Sequence, residues 1–370
     1  MLKYIIKRIL LSLLILFGVS LIIYVLVRVK PGENFVRAKY AMQLAQDSTG
    51  EVEKSVERME NTYGLDVSPI KGYFKWLGNI LQGDWGESFI FSVDSGKTEK
   101  FYILTNADGT TQYVAYQNAG EIPAEATGTI ERAISTKSVI RIIYTKCGIS
   151  FVISLIATIF EFVIAIPLGI ISATKQYGVL DYTVTILAMM GISLPTFFLG
   201  ALMLKIFSID LGWFPYAGLV DPNSGLPRFV DNLHHLVLPL TTLIILSIGG
   251  LMRYTRTNML EVLNADYIRT ARAKGLSEHS VIYKHAFRNS LIPIVTMLAG
   301  ILPGLFGGAM ITETVFSIDG IGKAAYKAVT QGDIPFVMAY NMFLSVLTVI
   351  GTLFSDLMYA VVDPRVKLGD

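Results

Sequence analysis

Glu161, in the stretch ATIFEFVIAIP, is the acidic residue that lies deepest in an apolar segment of this sequence. A carboxylate at membrane depth is costly and usually faces the interior of a helix bundle or a watery cavity. Glu161 is therefore a candidate residue of a pathway through the membrane. The alternative is a structural glutamate that is protonated or hydrogen-bonded, because depth alone does not separate the two roles.

The most basic segment of the chain covers residues 265–290 and reads ADYIRTARAKGLSEHSVIYKHAFRNS. Its residues recur at helical spacing up to Gly275, which predicts a short helix that ends at this glycine. Ser277 can cap a second helix, with Glu278 in its first turn. Such an elbow could dock a partner, or the segment could simply fix topology or touch anionic lipid. Its basic residues are Arg269, Arg272, Lys274, Lys284 and Arg288.

The sequence contains no constellation typical of catalysis or of a metal site. Residues 94–98 read DSGKT, like the end of a phosphate-binding loop, but Phe91 stands where the first glycine is required. We therefore expect no ATP hydrolysis, no cofactor and no enzymatic activity in this chain. The adjacent His234 and His235 would not share a helix face, so they are poorly placed to chelate a metal. A single cysteine, Cys147, excludes an intrachain disulfide.

The elements that must position these residues are apolar helices. The 370 residues are 52% hydrophobic and 16% charged, whereas about a quarter of the residues of a soluble domain are charged. The chain is predicted to be an all-α polytopic membrane protein, and its net charge of +2 favours no nucleic-acid partner. The run 9–27 predicts a first, uncleaved span. Five further apolar segments give six predicted spans: 148–174, 182–206, 236–251, 291–312 and 336–362.

Six spans would place both ends of the chain on one side of the membrane. Lys and Arg in short flanks resist translocation, so the side that carries most of them is predicted to be cytoplasmic. Residues 31–138 then form an extracellular domain, with helices in 47–82 and a β-hairpin around 106–109. The basic residues of the predicted cytoplasmic flanks, besides those of 265–290, are Lys3, Lys7, Arg8, Lys175, Arg253, Arg256, Arg365 and Lys367.

Six stretches in chain order carry a family resemblance. They are LGNILQGDWGESF, GISLPTFFLGALML, HLVLPLTTL, DYIRTARAKGLSEHSVIYKHAFRNSLIP, ETVFSIDGIGKAAYKAV and DLMYAVVDPR. In order and spacing they closely resemble permease subunits of the dipeptide, oligopeptide and nickel branch of ABC importers, above all the B-type subunit of oligopeptide permeases. The resemblance extends along nearly the whole chain.

This resemblance implies the type I ABC importer permease fold, with a first helix that wraps a partner subunit and a core of five helices. It implies transport of peptides, with a second homologous permease subunit, two cytoplasmic ATP-binding subunits that carry ATP and Mg, and an extracellular substrate-binding protein as partners. The basic segment would supply the coupling helix that docks on an ATP-binding subunit. The residues that match the docking element are Asp266, Tyr267, Arg269, Thr270, Ala271, Arg272, Ala273, Lys274 and Gly275.

Two departures from the family pattern stand out. Arg269 occupies the place where the broader importer signature has a glutamate, which fits the peptide branch better than the sugar or amino-acid branches. Residues 92–137 also exceed the external loop expected of this branch, so they are predicted to be a small α+β extracellular insertion. The other predicted parts are a first helix over 1–30, a permease core over 139–363 with its coupling loop at 256–290, and a cytoplasmic tail over 364–370.

Two other functions stay open at the level of sequence. A permease of the same branch could import nickel or another small solute, although a metal pathway would be expected to carry a cluster of His, Cys or carboxylate ligands. A membrane sensor could instead bind a ligand through its extracellular domain and lipid or a signalling partner through the basic segment. In each case the expected location is the bacterial cytoplasmic membrane, with several spans and both termini in the cytoplasm.

Overall fold

The computed structural model of the chain describes residues 2–28, 34–47, 50–105, 111–115 and 126–362. These residues are mostly helical, and the chain divides into two compact units. The large unit consists of Met1–Leu26, Lys146–Thr330 and Tyr340–Asp370, and the small unit of Val27–Thr145 and Gln331–Ala339. The tail predicted at 364–370 lies outside the described residues.

The helices and strands follow in chain order. They are α1 (Leu2–Arg28), α2 (Phe35–Gln46), α3 (Glu51–Thr62), α4 (Pro69–Leu81), β1 (Val93–Thr105), β2 (Thr111–Ala115), β3 (Ala126–Thr136), α5 (Val139–Thr174), α6 (Val179–Ser193), α7 (Thr196–Met203), α8 (Arg228–Leu263), α9 (Asp266–Ala273), α10 (Arg288–Gly307), α11 (Met310–Val315), α12 (Ile321–Gln331) and α13 (Ile334–Val362). π-Helical turns extend α7 over Leu204–Asp210 and precede α10 over Ser280–Phe287.

Within the described residues, four helical stretches are long and apolar enough to cross a membrane: Ile6–Arg28, Val139–Thr174, Arg228–Leu263 and Ile334–Asp356. The stretch Val179–Ser193 and Thr196–Asp210 makes a fifth if the two bent pieces count as one span. The segment predicted at 291–312 corresponds mainly to α10, which is not among them. The multi-span character is therefore confirmed, whereas the number six stays a prediction.

The third predicted span is broken rather than continuous. Leu194 is extended and precedes Pro195, and the two helical pieces on either side of this break meet at 102°. A residue before proline is disfavoured in the helical region, which explains why α6 ends here. α6 nevertheless packs closely on α8, because a Cβ at Gly191 would lie 2.5 Å from the Ile245 carbonyl oxygen and one at Gly249 2.4 Å from that of Ala188. Small residues allow this close approach of two backbones.

The small unit contains the three-stranded antiparallel sheet, in the order β2-β1-β3. β1 pairs with β2 from Phe101 opposite Ala115 to Thr105 opposite Thr111, so the two segments predicted to flank a hairpin turn do pair. The predicted turn at 106–109 lies outside the described residues. β3 was not anticipated from the sequence pattern. The DSGKT string lies within the bulged start of β1, not between a strand and a helix as a phosphate-binding loop would.

The helical part of the small unit has an aromatic core. Phe35, Tyr63, Tyr73 and Trp76 are buried, and the rings of Phe35 and Tyr63 meet edge to face with their centroids 5.5 Å apart. Burial raises the pKa of the Tyr63 phenol well above its usual value, and the negative charge of Asp333 adds to this shift. The phenol therefore stays neutral within this core.

Asp333 holds the start of α13 to the segment that follows α4. Its fully buried carboxylate accepts hydrogen bonds from the Ser88 hydroxyl and from the backbone N–H of Phe89, at 3.1 Å. It also accepts one from the N–H of Phe336 in the first turn of α13, at 3.3 Å. One side chain thus caps a helix and links it to residues more than 240 positions earlier in the chain.

We expect Asp333→Ala to lower the free energy of unfolding by about 3 kcal/mol, because it leaves buried donors without an acceptor. Denaturant unfolding of the purified protein in detergent would measure the change. The exposed pair of Lys205 and Asp210 supplies the control, since Asp210→Ala should cost less than about 1 kcal/mol. Equal losses for the two variants would contradict the capping role of Asp333.

Candidate functional site

Glu161 lines a cavity of about 300 Å³ in the large unit. Ser154, Ala157, Thr158 and Glu161 follow one another at the spacing of one face of α5, so one side of that helix forms a wall. Leu243 and Ser247 of α8 contribute a second wall, and the remaining lining residues are Ile301, Gly304, Leu305, Gly308 and Ala309.

The polar side chains of this cavity are few. The Ser247 side chain is a hydrogen-bonding neighbour of the Glu161 carboxylate, and Thr158 and Ser154 lie one and two helical turns from Glu161 on the same lining face. The other lining residues are apolar or small. A mostly apolar cavity with a few convergent polar groups is the usual form of a small-molecule site.

Glu313 holds the backbone at the end of this cavity that Gly308 and Ala309 line. It is 1% exposed, accepts a hydrogen bond of 3.1 Å from the Ala309 N–H and one of 2.6 Å from the Ser150 hydroxyl on α5. Its other oxygen accepts the N–H of Lys323 on α12 at 2.9 Å. One carboxylate therefore joins α5, α11 and α12 and fixes part of the cavity lining.

The fit around Glu313 depends on glycine. A Cβ at Gly320 would lie 2.4 Å from the Ser150 hydroxyl oxygen, which itself accepts the N–H of Ile321 at 2.9 Å. Sequence reasoning did not select Glu313, although it opens the family-like stretch ETVFSIDGIGKAAYKAV and stands one residue beyond the predicted end of a span. An acidic residue at the edge of a predicted span, within a family-like stretch, was the signal that could have identified Glu313.

A second buried carboxylate, Asp181, ties three helices together. It lies in the first turn of α6, is 3% exposed, and receives two hydrogen bonds from the Arg256 guanidinium of α8, each of 2.9 Å. The Ser172 hydroxyl of α5 donates to it as well, and the backbone N–H of Tyr177 does so at 3.0 Å. From sequence, Arg256 counted only toward topology, and Asp181 was not selected at all.

The basic segment forms the predicted elbow. α9 ends at Ala273, and Gly275 has a φ of 77°, the left-handed conformation expected after a helix end. Its N–H donates to the Arg272 carbonyl at 2.9 Å. Ser277 then begins the next helical turn, where its carbonyl accepts the N–H of Val281 at 2.9 Å.

α9 has a buried face and an exposed face. Ile268 and Ala271 pack against a cluster that contains residues of α5 and α8, namely Ile170, Ala173 and Met259, together with Val281 and Ala286. Of the residues predicted to dock a partner, Ala271 therefore lies on the inner face. The others are exposed: Asp266, Tyr267, Arg269, Thr270, Arg272, Ala273, Lys274 and Gly275.

The charged side chains on the exposed face form solvent-exposed ion pairs. Arg272 contacts Glu278 across the elbow at 2.9 Å, and Arg269 lies 3.5 Å from Asp266. All four side chains are well exposed, so these pairs contribute little to stability and can be exchanged for contacts with a partner.

Two charged residues and two histidines outside these sites also have structural contacts. Arg8 of α1 pairs with Asp356 of α13 through two hydrogen bonds. His234 contacts the Trp213 carbonyl oxygen at 2.8 Å, and His235 lies 3.5 Å from Asp231. Among the residues that the structure describes, no three His, Cys, Asp or Glu side chains are grouped so that they could hold a metal ion.

Comparisons with known proteins agree with one another. Residues 165–368 match the family model described as binding-protein-dependent transport system inner membrane component. The oligopeptide transport system permease protein AppB of Bacillus subtilis (strain 168) is 34% identical over 367 residues, which covers 99% of this chain and 100% of that protein. The dipeptide transport system permease protein DppB of the same organism is 30% identical, covering 100% of this chain and 99% of that protein.

A solved structure, the MetNI methionine ABC transporter in an inward-facing conformation, has a chain that resembles this one with a TM-score of 0.48 and 16% identity. The similarity covers 62% of this chain and 99% of that chain.

The ion pair between Asp181 and Arg256 should be strongly coupled. Asp181→Ala or Arg256→Ala alone should lower the free energy of unfolding by about 3 kcal/mol, because each leaves a desolvated charge without its partner. The double variant should lose clearly less than the sum of the two single variants. Denaturant unfolding in detergent measures the cycle, with the exposed pair of Lys205 and Asp210 as the matched control; additive losses would contradict the coupling.

Proposed function

Because this chain belongs to the family of binding-protein-dependent transport system inner membrane components, we propose that it is a transmembrane permease subunit of an ATP-driven peptide importer. The observation that carries the proposal is the similarity to an oligopeptide permease protein over nearly the full length of both chains. The chain would form half of the translocation pathway, with a second homologous permease subunit forming the other half. An extracellular binding protein would deliver the peptide.

The exposed face of α9 is the docking surface for a cytoplasmic ATP-binding subunit in this proposal. ATP and Mg would be bound by that subunit, and α9 would transmit its movement. To transmit movement, α9 must be packed firmly against the membrane helices. Ile268 and Ala271 provide this packing because they are buried against residues of α5 and α8. A displacement of α9 would therefore move the helices that wall the cavity beside Glu161.

Glu161 is proposed to line the pathway. Its cavity lies between α5, α8 and the end of α10, and its few hydroxyl groups could contact the polar backbone of a peptide while the apolar wall tolerates varied side chains. Import of nickel is the alternative, and the described residues offer no metal-ligand cluster that favours it.

The proposed membrane orientation rests on the distribution of charge. The contact of Arg8 with Asp356 brings the start of α1 and the last part of α13 together, which supports the placement of both termini on one side of the membrane. The excess of Lys and Arg in the short flanks favours the cytoplasmic side. Residues 31–138 would then be extracellular, and the part at 92–137 would be available to the binding protein.

Uptake by the assembled transporter in proteoliposomes tests the substrate class. Labelled peptides of increasing length should be taken up with ATP and the binding protein, and nickel should not. Uptake of nickel alone would replace the peptide proposal by the metal alternative. Failure of the chain to co-purify with any ATP-binding subunit would favour a membrane sensor.

Gly275→Val should uncouple ATP hydrolysis from uptake, because a β-branched residue is strained at a φ of 77°. Apart from its two chain neighbours, no atom of the described residues lies within 4 Å of the position of an added Cβ, so the strain comes from the backbone conformation and not from crowding. Gly275→Asn is the matched control, since asparagine tolerates the left-handed region and should retain most of the coupling. The measurement is substrate-stimulated ATPase activity together with uptake. Normal coupling in the valine variant would contradict the docking role.

Glu161→Gln should reduce peptide uptake by roughly tenfold, since the loss of a hydrogen bond to a charged group costs about 1.5 kcal/mol. Assembly with the ATP-binding subunits should be unaffected. Glu261→Gln, at an exposed position of α8 outside the cavity, is the control and should transport normally. If both variants transport at the rate of the unchanged protein, Glu161 is a structural glutamate.

A further inference from the structure

The helices that wall the cavity beside Glu161 supply no charge that could balance its carboxylate. Glu161 is the only Asp, Glu, Lys or Arg between positions 147 and 174 of α5, and residues 236–252 of α8 and 289–307 of α10 contain none. The cavity lining consists of this partly exposed carboxylate, three hydroxyl side chains and apolar or small residues. One carboxylate therefore sets the charge of the cavity.

The basic residues at the ends of these helices lie away from the cavity. Lys146 precedes the uncharged run of α5 and pairs with Asp319 at 2.6 Å. It stands 15 residues, or about 22 Å, before the cavity carboxylate. Arg253 is exposed and lies roughly 120° around α8 from Ser247. The described lining thus contains no ammonium or guanidinium that could neutralise the carboxylate.

A second carboxylate stands against the cavity wall. A Cβ at Gly308 would lie 2.7 Å from Oε1 of Glu313. Glu313 accepts hydrogen bonds from the Ser150 hydroxyl and from the N–H groups of Ala309 and Lys323. The N–H of Ala309, a donor in the cavity lining, is therefore already used and is not offered to an anion. An anion in this cavity would be repelled from two sides, whereas a cation would be attracted.

We propose that this cavity binds a primary ammonium group, which Glu161 contacts through a charge-assisted hydrogen bond. An ammonium has three donors, and the hydroxyl oxygens of Ser154, Thr158 and Ser247 lie on the same lining as further acceptors. A peptide carries this group at its amino terminus and on lysine side chains. The inference rests on the proposed function only in naming a peptide as the carrier of the ammonium, because the preference for a cation rests on the cavity alone.

An organic ammonium fits this lining better than a metal ion does. Calcium and magnesium take about six or more oxygen ligands, whereas the side chains of the lining offer one carboxylate and three hydroxyl groups. The apolar side chains of Leu243, Ile301 and Leu305 instead suit the carbon atoms that adjoin an ammonium. The volume of about 300 Å³ is at the lower end of small-molecule sites, so we expect one end of a peptide to occupy it.

Charged thiol reagents test the cavity without any transport. In a Cys147→Ser background, Thr158→Cys places a thiol one helical turn from Glu161 on the lining face. The assembled transporter is treated with a cationic or an anionic methanethiosulfonate of similar size, and each rate is divided by the rate of the same reagent with free cysteine. We expect the cation to react roughly tenfold faster than the anion, because the carboxylate attracts the first and repels the second.

Glu161→Gln in the same background should remove most of this preference for the cation. Asn223→Cys, at an exposed position before α8, is the matched control, and its ratio of rates should not respond to Glu161→Gln. A ratio near one at Thr158→Cys, or a ratio that Glu161→Gln leaves unchanged, would overturn the ammonium site. Failure of both reagents to react would show that the cavity is closed to charged solutes and would overturn it too. If Thr158→Cys does not assemble, Ser154→Cys gives the same test from the next turn of α5.

Three peptides identify the source of the ammonium in proteoliposomes supplied with ATP and the binding protein. They are a tripeptide with uncharged side chains, its N-acetylated form, and an N-acetylated form with a central lysine. Uptake of each is compared between the unchanged protein and Glu161→Gln, so the preference of the binding protein cancels. A roughly tenfold loss for the free tripeptide assigns the group to the amino terminus, and the same loss for the lysine peptide assigns it to the lysine side chain.

The acetylated peptide without lysine should be taken up equally by both proteins. An equal effect of Glu161→Gln on all three peptides would overturn the inference and leave the proposed import of peptides intact. If the unchanged protein takes up none of them, the proposed function is contradicted, and the ratio of reagent rates still decides whether the cavity prefers a cation.

Discussion

The ion pair between Asp181 and Arg256 is the contact on which the rest of the membrane structure depends. A charged group in a membrane protein is tolerated only when it finds an internal partner, and here the partners lie on different helices. Two members of this network adjoin residues that pack against α9. Ser172 is followed by Ala173, and Arg256 stands less than one helical turn before Met259. Ala173 and Met259 belong to the cluster in which Ile268 and Ala271 of α9 are buried. The network that satisfies these charges therefore also fixes the position of the elbow.

Glu313 plays the corresponding part at the other side of the cavity. It satisfies the backbone of a short helix and a glycine-rich turn that could not otherwise be buried, and it attaches both to α5 through Ser150. α5 contributes to both networks and to the cavity wall, so it connects the residues that pack against α9 at one end with Gly308 and Ala309 at the other. The hydrogen bonds of Glu313 would have to rearrange if that end of the cavity opened.

Local patterns in the sequence predicted what depends on local forces. Apolar runs indicated most of the membrane helices, and the position of Gly275 indicated the end of α9, because both follow from properties of neighbouring residues. The roles of Asp181, Glu313 and Asp333 could not be predicted in this way, since their partners stand 75, 163 and 245 positions away in the chain. A single sequence shows that a carboxylate is present, but only the fold shows which donor it meets.

The same distinction separates Glu161 from the buried acidic residues of the large unit, Asp181 and Glu313. Asp181 is neutralised by a guanidinium, and Glu313 receives several hydrogen bonds in a tightly enclosed site. Glu161 instead borders open volume, and its neighbour Ser247 is a hydroxyl that can also donate to the Ile244 carbonyl. A carboxylate whose hydrogen-bonding capacity is already used holds helices together, whereas one that faces a cavity with capacity to spare can contact what enters. The structure thus gives a physical reason to favour the pathway role of Glu161, which its position in the sequence could not provide.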